Sequence, residues 1–241
     1  MIHLFTDFGL EGPYLGEMEA VLRRAAPEVP VVNLMADAPA FAPRPAAYLL
    51  AALAERLEPG DVLLGVVDPG VGSERRPVAV EADGRWFVGP DNGLFEPAVR
   101  RATRVRGFAI AWRPARLSAS FHGRDLFAPV AARLARGGTD GLEPAGLTRF
   151  PDWPDDLAEV VYVDRYGNAM TGLRAASLSR DAILLAAGRR LVHAPTFSAV
   201  PPGTPFWYAN SGGLAEIAAR DASAAALLGL AVGTAVSVSG G

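Results

Sequence analysis

DVLLGVVDPGVGSERR, residues 61–76, runs a short apolar segment into Asp-Pro-Gly, adds a second glycine and ends on two adjacent arginines. An unbroken apolar run of this length, bounded by turn residues, suits a strand covered on both faces, as strands of a parallel sheet are. Upstream, MIHLFTDFG (1–9) reads as a buried first strand ending in a turn. PYLGEMEAVLRRAAPEV (13–29) places Leu15, Met18, Val21 and Leu22 at helical spacing. VPVVNLM (29–35) reads as a second strand, and RPAAYLLAALAERLEPG (44–60) as a second helix stopped by Pro59-Gly60. Strands alternating with helices make βαβ units and a mostly parallel sheet. Pro69 and Gly70 suit the central positions of a type II turn at the end of the third strand.

Downstream, PVAVEADGRWFVGP (77–90) predicts a hairpin about Asp83-Gly84, and FAPVAARLARGG (127–138) a further helix ended by glycines. GLTRFPDWPDD (146–156) has no periodicity and marks a boundary near residue 150. Beyond it, the runs 158–173, 182–197, 205–219 and 231–240 are mostly strand-like and separated by turn residues, which predicts a small β-rich domain, a barrel or a sandwich. The expectation is an α/β protein with an N-terminal domain over 1–150 and a smaller C-terminal domain over 151–241.

The chain has 241 residues, no Cys and a net charge of −3, and all 23 of its Lys-plus-Arg residues are Arg. Without Cys there is no disulfide, thiolate nucleophile or Cys-ligated metal, and without Lys no Schiff base and no phosphate-binding P-loop lysine. The small negative charge gives no reason to expect nucleic acid or an anionic membrane as partner. Met1 leads into an apolar run that meets Asp7 at once, with no basic n-region, and no apolar run is long enough to span a bilayer. A cytoplasmic location is expected.

In open parallel sheets, ligands sit beyond the carboxyl ends of the strands. Asp7 and Asp68 end strands one and three, so two aspartates flank one crevice, although Asp at a strand end also serves as simple turn chemistry. GLEGPYLG (9–16) has the wrong spacing for a dinucleotide-binding glycine motif. His3, His122 and His193 are scattered and form no metal cluster, so no metal is expected. His122 stands in SASFHGRDLF (118–127), just before a helix; Asp125 capping that helix, with His122 on a loop, is the plain structural alternative. His3 and His193 read as structural. Three of the four asparagines, Asn92, Asn168 and Asn210, lie in glycine turns, which suits either turn formation or ligand recognition.

TDFG (6–9), VVDPGVGSERR (66–76), GPDNGLF (89–95), FHGRD (121–125) and YANSGGLAEIA (208–218), in this order, resemble the S-adenosyl-L-methionine (SAM) hydrolase family. Its members form adenosine, are also termed SAM hydroxide adenosyltransferases, and are relatives of the fluorinating and chlorinating enzymes. The resemblance implies a Rossmann-like N-terminal domain, a C-terminal β-barrel and a homotrimer in which SAM lies between the N-terminal domain of one subunit and the C-terminal domain of its neighbour. It implies water or hydroxide attack at ribose C5′, with methionine leaving, and no cofactor. The family's catalytic set falls on Asp68, Arg75 and His122. Asp7 matches the aspartate holding the ribose hydroxyls, Phe197 the aromatic packed on adenine and Asn168 its hydrogen-bonding partner, and Asp164 and Ser211 match groups at the methionine end. Gly12 stands where the family usually carries an aspartate. Gly212 stands where the halogenating enzymes have Arg, and no extra loop interrupts 76–91, which favours the water-using branch.

The chemistry is consistent with these residue types. The sulfonium is already a good leaving group, so a general acid is unnecessary, and hydroxide meeting a sulfonium annihilates charge, which a dry pocket favours. Arg75 would stabilise the attacking oxygen, Asp68 would orient Arg75 or the water, and His122 is able to accept the water's proton, while the sequence alone leaves the proton acceptor open. Arg76 is expected to make structural or surface contacts. Two other functions compete: a halide-using SAM adenosyltransferase, and a SAM or adenosine binder without catalysis.

Overall fold

The computed structural model describes residues 1–239. Gly240 and Gly241, at the ends of the run expected over 231–240 and of the second domain, lie outside them. The chain divides into two compact units, Met1–Phe150 and Pro151–Gly241.

The first unit is built on β1 (Ile2–Thr6), α1 (Tyr14–Ala25), β2 (Val31–Met35), α2 (Pro43–Ala54), β3 (Val62–Val66), β4 (Pro77–Ala82), β5 (Arg85–Pro90), α3 (Glu96–Arg101), β6 (Val105–Ile110), α4 (Ala128–Ala135) and β7 (Leu142–Pro144). Its sheet has the order β2-β1-β3-β5-β4-β6-β7. β1, β2, β3 and β5 pair in parallel, and β4, β6 and β7 join antiparallel. Every residue of β3 is buried, as the apolar run predicts. α1 is amphipathic and buries Met18 and Leu22, while Arg23 and Arg24 in its last turn complement the helix dipole. It packs with α4 over Ile2, Leu4, Val62, Leu64 and Val88. Phe87, of opposite parity on β5, meets Phe95 beside α3 and shares a small cavity lining with Ala51 and Ala54 of α2, so the sheet is covered on both faces.

One helical start differs from expectation. Gly123–Phe127 forms a π-helical turn ahead of α4, with the Ala128 N–H bonded to Gly123 O. Pro129 has no N–H, and its ring crowds the carbonyl four residues back, so a wider turn relieves the conflict. Asp125 does not cap this helix; its Oδ2 accepts instead from Ser118 N at 2.8 Å.

The second unit contains β8 (Leu157–Val163), β9 (Ala169–Arg174), β10 (Ile183–Ala186), β11 (Arg189–Leu191), β12 (Pro205–Ala209), β13 (Leu214–Ala219), α5 (Ala224–Leu228) and β14 (Val236–Ser239). The antiparallel sheets β12-β13-β9-β8 and β11-β10-β14 are linked at both margins. Glu159 of β8 bridges Ala235 beside β14, and His193 beyond β11 bridges Trp207 of β12. The ring β12-β13-β9-β8-β14-β10-β11 therefore closes on itself as a barrel, which removes its sheet edges. Trp207, buried at its centre with Val160, Leu184 and Ile217, donates from Nε1 to Ala182 O at 2.9 Å. Among the described residues no helix is long and apolar enough to cross a membrane.

Candidate active site

β1 and β3 are adjacent, with Thr6 opposite Val66. From β1 the chain crosses to β2 on one side; from β3 it passes towards β4 on the other. The strand ends thus diverge around a crevice, the usual ligand position in such sheets. After β3 two turns follow in succession: Val71 N donates to Asp68 O (3.2 Å) and Ser73 N to Gly70 O (3.0 Å). The left-handed residue is Gly72, at φ 80°, and not Gly70, so the type II turn centred on Pro69-Gly70 is corrected to a different first turn followed by one that needs Gly72. A Cβ on Gly72 would lie 2.7 Å from Ala119 O. The loop can therefore press against the segment leading to His122 only because this residue has no side chain.

The double turn returns Arg75 to the strand end. Its Nε lies 2.9 Å from each Asp68 carboxylate oxygen, and Nη2 donates to Asp68 Oδ2 and, at 2.9 Å, to His122 Nδ1. A guanidinium has no acceptor, so Nδ1 carries a lone pair and the neutral imidazole holds its proton on Nε2. The Asp68 and Arg75 side chains are 4% and 10% exposed. The Arg75 guanidinium also lies over the Phe127 ring, 5.3 Å from its centroid. Burial, then the Arg75 charge, push the His122 pKa below its ordinary value of 6.5, against the opposing pull of Asp68. Asn92 buttresses the strand end by donating to Val67 O at 2.9 Å. Arg76 is directed elsewhere, to Asp91 (2.7 Å) and Gly146 O (2.9 Å).

A cavity of about 620 Å³ opens at this strand end, within the range of small-molecule sites. Asp7, Asp68 and His122 are in its wall; Arg75 stands behind them and does not line it. Asp7 accepts from Phe41 N at 3.1 Å, and Phe41 adopts the left-handed region, at φ 58°. Burial raises the Asp7 pKa; the nearby Asp68 charge adds to this, while the Phe41 N–H opposes it. Phe8, Tyr14 and Phe121 also line the cavity and pack edge-on or tilted, their centroids 5.4–5.9 Å apart. Glu17 and Arg124 complete the charged part of the wall, paired at 2.5 Å, and Arg124 also holds Asp125. That pairing lowers the Asp125 pKa. Phe8, Phe121 and Arg124 sit inside or beside the quoted motifs, but nothing in the sequence alone signalled Tyr14 or Glu17, one helical turn into α1.

The remaining expected residues belong to the second unit. Asp164 organises its own turn, accepting from Tyr166 N (2.9 Å), Asn168 N (2.8 Å) and Asn168 Nδ2 (3.0 Å). Asn168 is thus brought against Asp164. Phe197 is 37% exposed and packs on Phe206 and Tyr208. Ser211 follows Asn210 in a turn where Asn210 Oδ1 accepts from Gly212 N and Leu214 N, both at 2.9 Å. His3 bonds Asp61 at 3.1 Å and His193 packs on Trp207, both structural contacts.

Residues 2–143 match the SAM hydroxide adenosyltransferase N-terminal domain, and 158–237 the C-terminal domain of that name. The chain is 42% identical to an (R)-S-adenosyl-L-methionine hydrolase of Thermus thermophilus over 96% of each sequence. It is 39% identical to a protein of the same name from Salinispora arenicola, over 100% of this chain and 98% of that one. Among solved structures it resembles an uncharacterized conserved protein from Thermotoga maritima, with a TM-score of 0.90 at 26% identity, covering 99% of this chain and 100% of that one. A conserved hypothetical protein from Thermus thermophilus gives a TM-score of 0.79 at 38% identity, with 99% of each chain covered.

Proposed function

The chain belongs to the SAM hydroxide adenosyltransferase family, and from that membership we propose that it is an S-adenosyl-L-methionine hydrolase releasing adenosine and L-methionine. The observation that carries this reading is the Arg75 clamp on Asp68 and His122 at the wall of a ligand-sized cavity.

In the proposed mechanism the nucleophile is a water between Asp68 and His122. Asp68 is the anion at the wall and takes a hydrogen bond from the water. Because Arg75 occupies His122 Nδ1, the imidazole donates from Nε2, and its lone pair becomes basic only when Arg75 lets go. We therefore assign His122 to holding the oxygen and Asp68 to receiving the proton, a choice that the sequence leaves open. Arg75, behind the wall, fixes both groups and supplies a permanent positive charge. The water oxygen bonds to C5′ as the C5′–S bond breaks, with its electron pair remaining on sulfur as methionine leaves. Charge on the sulfonium is lost in the transition state, so aromatic walls that thin the water favour the step. Positioning alone contributes up to about 7–11 kcal/mol in well-oriented reactions.

Asp7 is assigned to the ribose hydroxyls, Phe197 and Asn168 to adenine, and Asp164 and Ser211 to the methionine end. Asp164 already accepts three hydrogen bonds, so one lone-pair position remains for a substrate ammonium. The reaction needs no cofactor or metal, since the leaving group is built into the substrate. A homotrimer in which the C-terminal unit completes a neighbour's site, located in the cytoplasm, is the assembly we assign.

The test is turnover of SAM in ¹⁸O-labelled water with chloride present. Label in the adenosine 5′-hydroxyl is expected. 5′-Chloro-5′-deoxyadenosine would mean a halide-using transferase, and bound adenosine without methionine release a non-catalytic binder. Asp68→Ala and His122→Ala should each cut kcat by at least a hundredfold while changing adenosine affinity little, the scale seen when positioned acid–base groups are lost.

A further inference from the structure

Glu216, on β13, is 2% exposed, and no motif reading assigned it a role. The strand register sets it between Tyr208 of β12 and Met170 of β9, two residues beyond Asn168. Each of its carboxylate oxygens has one donor: Tyr208 OH to Oε1 at 2.6 Å and Asn210 Nδ2 to Oε2 at 2.8 Å. The Tyr208 ring packs on Phe197, centroids 5.3 Å apart, and so backs the exposed aromatic face. Asn210 in turn holds the backbone of the Ser211–Gly213 turn. One buried carboxylate therefore joins the two parts of this unit assigned to substrate, the aromatic face and the serine turn.

We propose that Glu216 is a positioning residue for SAM binding, coupling the Phe197–Tyr208 face and the Asn210–Ser211 turn into one geometry. This rests on the reading above that Phe197 receives the adenine of SAM and Ser211 its methionine end. A buried acid is a costly device for packing alone, because an apolar residue would fill the place without loss of hydration. Burial raises its pKa, with the Asp164 charge adding, and the two donors oppose this, so the network is tuned around the acid and Asp164 lies within its electrostatic reach. The Tyr208 hydroxyl is correspondingly held protonated, its pKa raised by burial and then by its bond to Glu216, and it serves as a donor throughout the neutral range.

The experiment uses the full chain with Glu216→Gln, which keeps the size but places an amide nitrogen, unable to accept, towards one of the two donors. The expected result is a rise of about tenfold in KM for SAM and in Kd for adenosine by calorimetry, the loss typical of one charged hydrogen bond. In the same variant kcat should stay close to wild type, while the melting temperature falls by a few degrees because one donor loses its acceptor. Tyr208→Phe, which keeps the ring and tolerates burial, should give a smaller rise of the same kind. The double variant should be no worse than Glu216→Gln alone, because the hydroxyl acts through the carboxylate. Unchanged adenosine affinity in both single variants, or an effect confined to melting temperature, overturns the proposal. The hydrolase reading fails separately, if wild-type protein binds adenosine but consumes no SAM.

Discussion

Arg75 Nη2 lies 2.9 Å from His122 Nδ1, and a guanidinium can only donate, so the clamp exists only while the imidazole is neutral. Burial and the Arg75 charge both favour that state, and Arg113 adds to them, while Asp68 and Asp125 oppose it. Because the folded pKa is depressed, the unfolded chain binds the proton first as pH falls below 6.5. The stability contributed by His122 is full above its ordinary value and is lost as pH falls towards and through the folded one. Activity should follow the same direction: kcat/KM flat above 6.5 and falling only below it. Histidine-selective ¹⁵N NMR should show His122 as the Nε2–H tautomer titrating below 6.5, and His122→Asn, whose amide oxygen can still accept from Arg75, should lack the acid limb. A titration midpoint above 6.5, or a protonated Nδ1, would contradict the clamp. The three residues themselves were legible, because they fall in short ordered motifs. The tautomer was not, since it depends on a contact spanning 47 residues of sequence.

At the scale of elements, the loop after β3 was legible as a turn but not as two turns. Asp-Pro-Gly advertises the first; the decisive glycine is the second, and its need comes from Ala119, far along the chain. Gly72→Ala tests this directly. At φ 80°, with backbone oxygen 2.7 Å from the new Cβ, the substitution is strained twice over. A stability loss of about 1–3 kcal/mol is expected, the range for side chains forced into sparsely populated backbone regions. Relief of the clash moves the Asp68–Arg75 loop away from the 118–122 segment, so kcat should fall by roughly a hundredfold, as for misplacements of about 1 Å. Denaturant melts and steady-state kinetics measure the two effects, and a variant of wild-type rate would show that the loop does not position His122. The π-helical turn before α4 was equally hidden, because Pro129 reads as a permitted first-turn residue until the helix is seen to begin at Gly123.

For the whole molecule, the alternation of strands and helices in the first 150 residues was readable because each period is local. In the second unit the strands were readable, but the choice between barrel and sandwich was not. That choice is made by two bridges, Glu159 to Ala235 and His193 to Trp207, which join sheet margins through single contacts that leave no local pattern. The same global view shows a place where stability is given up. Asp7 is a carboxylate under burial and facing Asp68, with a raised pKa. Its protonated form is the favourable one in the fold, so its contribution to stability is greatest at low pH and declines as pH rises from the ordinary value of 3.8 through the folded one. Above that the ionised group is a constant penalty. Asp7→Asn removes the charge and keeps an oxygen to accept from Phe41 N, so it should raise Tm at neutral pH by a few degrees, each kcal/mol being worth about 2–4 °C in a chain of this size. The gain should vanish as pH approaches 3.8, where both forms are neutral in the fold. With Asp7 assigned to the ribose hydroxyls as proposed, SAM affinity should fall more than about tenfold in the same variant, because the amide oxygen keeps one lone pair beside Phe41 N and the amide nitrogen cannot accept. Calorimetric melts across pH and SAM binding on one preparation decide the matter: a variant less stable than wild type at neutral pH would mean that Asp7 belongs to the fold's support and not to its ligand.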